Sequence, residues 1–258
     1  MTRSGAAAAL LWAVLASGTA ARAGEPAARK PTPAASATPP SLARPKSTPK
    51  PYERFVVGDY LITPKIYDRY DARAAAGTSF RASATSEFPL FGLPWMIQGD
   101  YRSYRYDRAL DPGDATTGSA LAHDNNVDAR LGLKLADPRV YVGVGYLVGN
   151  STDSLAAPSR RTGLGVGLQK LADVDRPLSV FGSVYYYPQI TTSANGDLTN
   201  APGSAKYRFL KYDLGLHVGL GPTPGFLEAG YLGDRGLGTG IQSDVSHNGP
   251  YAGLGFHF

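Results

Sequence analysis

The chain lacks two features that would place it in common protein classes. Its 258 residues include no cysteine, which excludes a disulfide framework, thiol catalysis and a cysteine-linked lipid anchor. After residue 24 no apolar run reaches the roughly 18 residues that indicate a transmembrane helix. If this protein lies in a membrane, it must therefore cross it with β-strands closed into a barrel.

Motifs for chemistry are also scarce. We find no Gly-x-Ser-x-Gly elbow, no phosphate-binding loop and no metal-ligand spacing. The glycines between Gly143 and Gly149 have the wrong spacing for a dinucleotide fingerprint, and we interpret them as small residues on the inner face of a narrow barrel. The sequence therefore predicts no cofactor and no metal site.

The first 51 residues predict export followed by a spacer. Arg3 supplies a positive start, residues 6–16 form an apolar run of eleven, and a small-x-small cleavage site precedes Gly24. We therefore predict a signal peptide over residues 1–23. Residues 24–51 are rich in Pro, Ala, Ser, Thr and Lys without apolar periodicity, which predicts a disordered periplasmic linker.

The formal net charge of +5 does not indicate a nucleic-acid partner. The predicted signal peptide carries two of the positive charges and the linker a net four, which leaves about −1 for residues 52–258. The folded part is thus close to neutral, and no basic groove is implied.

From Phe55 onward, apolar and polar residues alternate with the period of a β-strand. In Asn126–Leu135, five apolar residues share one face and polar or small residues the other. After a tight turn, Val140–Val148 continues the apolar face, which predicts a hairpin. Three further hairpins are predicted on the same pattern: Ser79–Phe88 with Trp95–Arg105, Thr162–Leu171 with Leu178–Pro188, and Tyr207–Leu220 with Phe226–Gly233.

The connections between these strands are alternately short and long, which is typical of outer-membrane barrels. The short ones lie near Pro89–Pro94, Asp137–Pro138, Asp173–Pro177 and Gly221–Gly225. The long ones are Arg108–Asp124, Asn150–Arg160, Thr191–Ala205 and Asp234–Gly249. Counting back from a periplasmic Phe258 gives nine strands, and Phe55–Tyr67 supplies a tenth. We predict an all-β fold, an antiparallel transmembrane barrel of about ten strands over residues 52–258, with eight or twelve as alternatives.

Charge separates cleanly between the two faces of these strands. The aliphatic face carries no Asp, Glu, Lys or Arg in the strand centres, as a bilayer would require, because a central Arg or Lys facing lipid costs roughly 2–4 kcal/mol. A water-soluble barrel would have the inverse arrangement. The opposite face holds six acids and six bases, which predict a charge-balanced ion-pair network in the lumen: Asp59, Glu87, Asp100, Asp128, Asp213 and Glu228, with Lys65, Arg81, Arg102, Arg130, Lys134 and Lys211.

Aromatic and small residues complete this prediction. Tyrosines 141, 185 and 187 are expected to cover bare glycines at 143, 145, 163, 165 and 167 and to narrow the lumen. Two interfacial girdles are predicted at the strand ends. The outer girdle comprises Tyr67, Tyr70, Tyr104, Tyr106, Tyr186 and Tyr231, and the periplasmic girdle Phe55, Phe88, Trp95, Phe226 and Phe258.

The last eight residues alternate with period two and end on an aromatic residue. A polar residue, a glycine and two aromatics stand at fixed offsets, namely Tyr251, Gly253, Phe256 and Phe258. This stretch resembles the C-terminal assembly signal of small outer-membrane β-barrel proteins of Gram-negative bacteria. The resemblance implies residence in the cell outer membrane, contact with its lipid and lipopolysaccharide, and handling by periplasmic chaperones and the barrel-assembly machinery. It implies no subfamily and no oligomeric state.

Three functions stay open for such a barrel. The first is a structural barrel or narrow passive pore, and the second is a surface-binding, adhesin-like barrel that acts through its long loops. The third is an enzyme, because some small outer-membrane barrels are omptin-like proteases or lipid A-modifying enzymes. Asp111, Asp114, His123 and Asp124 in one predicted loop are placed to meet Asp244 and His247, but the spacings of those families are missing. We therefore expect a protein without catalytic residues.

Overall fold

The computed structural model describes residues 52–67, 75–109, 119–153, 158–174, 176–194, 205–238 and 246–258. The predicted signal peptide and linker lie outside the described residues, as do Tyr70, Asp111, Asp114 and Asp244. Within the described residues, no helix is both long and apolar enough to cross a membrane.

The described part of the chain is built from twelve strands, ten of them long. Their bounds are β1 Arg54–Leu61, β2 Lys65–Tyr67, β3 Ala75–Ala76, β4 Phe80–Leu90, β5 Leu93–Ala109, β6 Ser119–Ala136, β7 Val140–Asp153, β8 Ser159–Lys170, β9 Leu178–Ala194, β10 Ala205–Gly219, β11 Gly225–Gly238 and β12 Ser246–His257.

The ten long strands form a closed antiparallel barrel. Each of them from β4 to β12 pairs with the next along the chain, and β1 pairs with both β4 and β12. The pairing of Phe55 with His257 closes the ring, and the amide of Phe258 donates to the carbonyl of Arg54. The short strands β2 and β3 add pairs to β12 and β5. The predicted fold class and ten-strand count are confirmed.

The strands extend further than hydrophobic alternation indicates. Strand β6 begins at Ser119, inside the predicted long loop that ended at Asp124, and β11 continues to Gly238. Backbone ladders persist there because their hydrogen bonds do not require one apolar face. Polar residues on both faces hide these strand ends from a pattern-based prediction.

The barrel is apolar outside and polar inside. Leu131 and Val144 face outward and are 40% and 53% exposed, whereas Tyr141 on the other face is 1% exposed. In β1, whose two faces are both apolar in sequence, Val56 and Tyr60 face outward. This polarity is that of transmembrane barrels, and it is the inverse of a water-soluble barrel.

Four aromatic residues predicted for the interfacial girdles lie inside the barrel instead. Phe55 and Phe226 join Met96 and Tyr141 in an apolar cluster near the short turns, while Tyr104 and Tyr106 are buried toward the other end. Tyr186, Tyr231 and Phe258 do face outward. The error arose because the distance of a residue from a turn gives its position along the barrel axis. Only its place in the strand alternation shows whether the side chain faces lipid or the lumen.

Candidate functional site inside the barrel

The lumen is filled by charged side chains, and these residues are the candidate functional site. In the described part of the chain, the buried polar residues include nine carboxylic side chains and six from arginine or lysine. The acids are Glu53, Asp59, Glu87, Asp100, Asp124, Asp128, Asp213, Glu228 and Asp234, and the bases are Arg81, Arg102, Arg130, Arg139, Arg161 and Lys211. The predicted balance of six and six is therefore wrong, and the described lumen has a formal excess of acids.

Asp100 on β5 is the centre of the network. Its carboxylate accepts from Arg81 Nε at 2.7 Å and from Arg102 Nε at 2.9 Å, and Lys211 Nζ lies 3.3 Å away. All three pairs are almost fully shielded from solvent. Cations from β4, β5 and β10 thus meet at one carboxylate across the barrel.

Two further acids extend this centre along the lumen. Asp234 on β11 accepts from Arg102, from Tyr104 Oη at 3.1 Å and from Asn126 Nδ2 at 3.0 Å. Asp213 on β10 pairs with Arg81 Nη1 at 2.9 Å. The side chains therefore bridge opposite walls of the barrel, and such bridges obstruct a water-filled path.

Arg130 forms a second branch of the network beside the centre. Its Nε donates to Asp128 at 2.7 Å, and its Nη1 donates to Gln98 and Ser183. The guanidinium carbon lies 4.2 Å from the centroid of the Tyr185 ring. These three hydrogen bonds and the stacked ring hold this arginine in one orientation, although its Nη2 is buried without a hydrogen-bond partner.

Tyrosines from β9 lie over bare glycines of the neighbouring strands. A Cβ added at Gly165 would lie 2.5 Å from a ring carbon of Tyr187, and one at Gly167 would lie 2.6 Å from Tyr185. Tyr187 and Tyr185 also approach Gly145 on β7. The rings occupy the space that the missing side chains leave, and this narrows the lumen further.

The end of the lumen nearest the short turns is closed by a smaller cluster. Arg139, in the turn after β6, binds Glu53 through Nη2 at 2.8 Å and faces Glu87, which accepts from Tyr141. Burial alone would lower the pKa of Arg139, but the hydrogen bond to Glu53 and the nearby charge of Glu87 hold that pKa above its ordinary value. Arg139 therefore remains a cation, and its contacts with Glu53 and Glu87 close this end of the lumen.

The opposite end holds a His–Asp pair. His247 Nε2 lies 3.1 Å from Asp124 Oδ2, and Arg161 approaches the other oxygen of Asp124 at 3.4 Å. The ring of Tyr104 stacks on His247 at 4.4 Å between centroids. His123, in contrast, contacts Ser103 at 2.9 Å and does not join this pair.

The structure brings together most, but not all, of the predicted lumen charges. Lys65 is exposed, and Lys134 pairs with the exposed Asp137 at 2.6 Å in the turn. The prediction for Lys134 was wrong because this residue lies near the end of β6, where its side chain reaches solvent. The prediction for Lys65 was wrong because the strand is interrupted between Leu61 and Lys65, so that Ile66, and not Lys65, is the buried residue. Glu228 lies on the wall of a small cavity that Arg81 also lines, outside the ion pairs formed among the described residues.

The sequence prediction missed five residues of the network. Glu53, Asp124, Arg139, Arg161 and Asp234 were assigned to loops, turns or unpaired segments, yet each is buried. Their alternation with inward-facing neighbours was the available signal: Asp124 is two residues before Asn126, which is two before Asp128. Extending each predicted strand by parity would have found them.

The C-terminal residues take part in the closure of the barrel. Tyr251 faces inward and donates to Asp213 at 2.8 Å. Gly253 leaves room for Asp59, whose Oδ1 would lie 2.0 Å from a Cβ there. Phe256 and Phe258 face outward. Among the described residues, no group of three or more His, Cys, Asp or Glu side chains is arranged to hold a metal ion.

Comparison with known proteins gives structural neighbours only. No family model and no curated protein matches the sequence. The outer membrane protease OmpT from Escherichia coli is similar over 82% of this chain and 98% of its own, with a TM-score of 0.44 and 10% identity. Neisserial surface protein A is similar over 81% and 97%, with a TM-score of 0.36 and 12% identity. Neither neighbour assigns a residue role or an activity to this chain.

Proposed function

We propose that this protein is an exported outer-membrane β-barrel whose lumen is closed by its own side chains, so that it acts as a structural barrel that conducts no steady current. The observation that carries the proposal is the burial of the central charges. Arg102 and Asp100 are both 0% exposed, and Arg130 is 1% exposed.

The size of the barrel supports a closed lumen. Eight strands enclose an interior that side chains just fill, and ten strands widen it only modestly. Here arginines and tyrosines occupy that added space, with Arg130 against Tyr185 and Tyr187 over Gly165. A porin-like channel, by comparison, is built from 16 to 18 strands.

The polarity of the barrel supports a membrane location. Apolar side chains such as Leu164 and Val166 are 68% and 59% exposed on the outside of the barrel. Exposure of so large an apolar surface to water would be unfavourable. The predicted signal peptide, the predicted C-terminal assembly signal and the expected handling by chaperones and assembly machinery belong to the same proposal. Cell fractionation tests the location directly.

Conductance in planar bilayers tests the closed lumen. We expect the wild-type protein to conduct weakly or not at all, because the path crosses desolvated ion pairs. Replacing Arg102 and Arg130 together by Ala should raise the conductance and lower the thermal stability. Arg176→Ala, which removes an exposed cation from a short turn, is the control and should change neither. A large, steady wild-type conductance that the double variant leaves unchanged would refute the proposal.

One observation favours a second candidate function, hydrolysis at the outer end of the barrel. His247 Nε2 lies 3.1 Å from Asp124 Oδ2, which is the separation of a general base from the carboxylate that orients it, but the two atoms form no hydrogen bond. The pair ranks second because His247 lies buried against Tyr104. Fluorogenic peptides and lipid A are the substrates to assay. Turnover that His247→Gln abolishes would support hydrolysis, and the absence of turnover would reject it.

A further inference from the structure

A small cavity lies inside the barrel where the ion-pair network meets the apolar cluster near the short turns. It is lined by Arg81 and Asp213 from the network and by Phe55 and Leu171 from the apolar cluster. The space open to the centre of a water molecule is about 20 Å³. One water needs roughly 10–15 Å³ on this measure, so the cavity has room for one or two particles of that size.

Glu228 on β11 brings an uncompensated negative charge to this cavity. It is 5% exposed, and within the described residues its carboxylate forms neither an ion pair nor a hydrogen bond. The charged side chains that act on it are Arg81, Asp59 and Asp213. Because Arg81 already pairs with both of these aspartates, one cation serves three carboxylates, and Glu228 is the one left without a partner.

Two basic side chains close to the cavity do not neutralise Glu228. Lys170 lines the cavity, but its ammonium donates to two backbone carbonyls, and the acid that acts on it most strongly is Asp173. His217 stands opposite Glu228 in the ladder of β10 and β11, yet no hydrogen bond or ion pair joins the two side chains. No basic residue of the described ranges therefore compensates the charge of Glu228.

An amide oxygen without a partner also belongs to the cavity wall. Gln169 on β8 lines the cavity and is 5% exposed, and its Oε1 is buried without a hydrogen-bond donor. A buried polar atom in this state is unfavourable and indicates a missing ligand. The side chains of Ser83 and Ser183 line the same space. The cavity thus offers carboxylate, amide and hydroxyl oxygens, which are the ligands that hard cations prefer.

The number and charge of these groups suit a monovalent cation. Calcium takes roughly six to eight oxygen ligands, and magnesium requires a nearly ideal octahedron. The described residues contain no group of three or more His, Cys, Asp or Glu side chains that could hold such an ion, and Glu228 supplies a single uncompensated charge. A water molecule could donate to Gln169 but would leave Glu228 as an unpaired buried charge, which is costly.

We propose that this cavity binds an alkali-metal ion, sodium or potassium, through the carboxylate of Glu228 and the amide oxygen of Gln169. The ion supplies both the countercharge that Glu228 lacks and the ligand that Gln169 Oε1 lacks. It stabilises the folded barrel, because the unfolded chain has no such site. The inference goes beyond the proposed function, since it depends on the local burial of Glu228 and not on whether the lumen conducts.

Urea-induced unfolding of the folded, full-length protein in lipid vesicles tests the site. The midpoint is measured at mildly alkaline pH in sodium, potassium or choline chloride at equal ionic strength, because choline is too large for the cavity. Above the dissociation constant, each tenfold rise in a bound ligand adds about 1.4 kcal/mol. With a urea dependence of about 1–3 kcal/mol per molar, each tenfold rise in the alkali-metal ion should raise the midpoint by roughly 0.5–1.4 M.

Three variants locate the effect. Glu228→Gln retains the shape of the side chain without its charge, so it should respond equally to all three salts and unfold in choline chloride at no lower urea concentration than wild type. Gln169→Leu removes the amide oxygen and should require on the order of tenfold more cation for the same midpoint. Asp137→Asn, which removes an exposed acid from a short turn, is the control and should retain the wild-type response.

A wild-type midpoint that is the same in choline as in sodium and potassium would overturn the inference, because Glu228 would then be neutralised by a proton. Retention of the cation response by Glu228→Gln would overturn it as well, since the ion would bind elsewhere. In crystals of the wild type, thallium(I) in place of potassium should give an anomalous peak inside the cavity, and a peak only at other positions would also refute the site.

The conductance measurement separates this inference from the proposed function. A closed wild-type barrel whose stability ignores the identity of the cation refutes only the ion site. A conducting barrel that shows the expected cation response refutes only the closed lumen.

Discussion

Asp100 is the single acid whose removal should disturb the lumen most. Asp100→Asn retains the shape of the side chain but removes its negative charge. The N–H donors of Arg81, Arg102 and Lys211 then face the N–H donors of an uncharged amide. Removing one partner of a buried ion pair typically costs about 3–5 kcal/mol. Because Arg81 retains Asp213 and Arg102 retains Asp234, we expect the lower end of that range, about 3 kcal/mol.

Urea-induced unfolding in lipid vesicles measures this loss, with tryptophan fluorescence and the gel shift of the folded barrel as two independent signals. Trp95 is the one tryptophan of the predicted mature chain. Asp137→Asn, which breaks the exposed pair with Lys134, should leave the midpoint unchanged. An Asp100→Asn protein that unfolds at the same urea concentration as this control would refute the central role of Asp100.

Four other changes test separate parts of the structure by the same unfolding assay, except where stated. Leu131→Arg, near the middle of the bilayer, should lower the free energy of unfolding by roughly 2–4 kcal/mol, whereas Leu135→Arg, on the same face near the short turn, should lower it by about 1 kcal/mol or less. Equal losses would contradict the inferred depths of these two residues in the membrane. Gly165→Ala should destabilise by about 1–3 kcal/mol through overpacking against Tyr187, while Gly58→Ala, with open space around it, should not. Phe91→Asn should stabilise the folded protein by about 1 kcal/mol, because Phe91 is 91% exposed and has a φ of 54° that Asn tolerates better. A loss of stability would show that the ring of Phe91 packs against the protein. Deletion of Phe258 should reduce folded protein in outer-membrane fractions without blocking export, and normal heat-modifiable protein there would argue against the assembly signal.

The strand pattern made the fold accessible to prediction, but the interior was predicted less completely. Hairpins such as Asn126–Leu135 with Val140–Val148 were predicted correctly, because residues of an apolar face and of a polar or small face alternate along these strands without interruption. In β1 the hydrophobic pattern does not distinguish an outer from an inner face, since both its faces are apolar in sequence. Phe55 turns inward there because Phe226 and Met96 provide an apolar cluster for it.

The candidate site shows the same limit at its ends. Asp124 and Asp234 were assigned to loops because polar residues on both faces conceal a strand. Lys134 was placed in the lumen by parity alone, but its height next to the turn lets the ammonium reach solvent and Asp137. Whether a charged side chain is buried depends on its position along the barrel axis and on the face of the strand that carries it. Alternation in the sequence indicates only the face.

The amino-acid sequence by itself determined which side chains share a face, because successive residues of a strand point to opposite sides whatever the rest of the chain does. It also determined that the barrel is polar inside, since no central charge lies on the aliphatic face. Only the tertiary structure decided which charges meet. Arg102 and Asp234 are 132 residues apart and pair across the lumen, because ring closure and strand tilt bring β5 and β11 to opposing walls at one height.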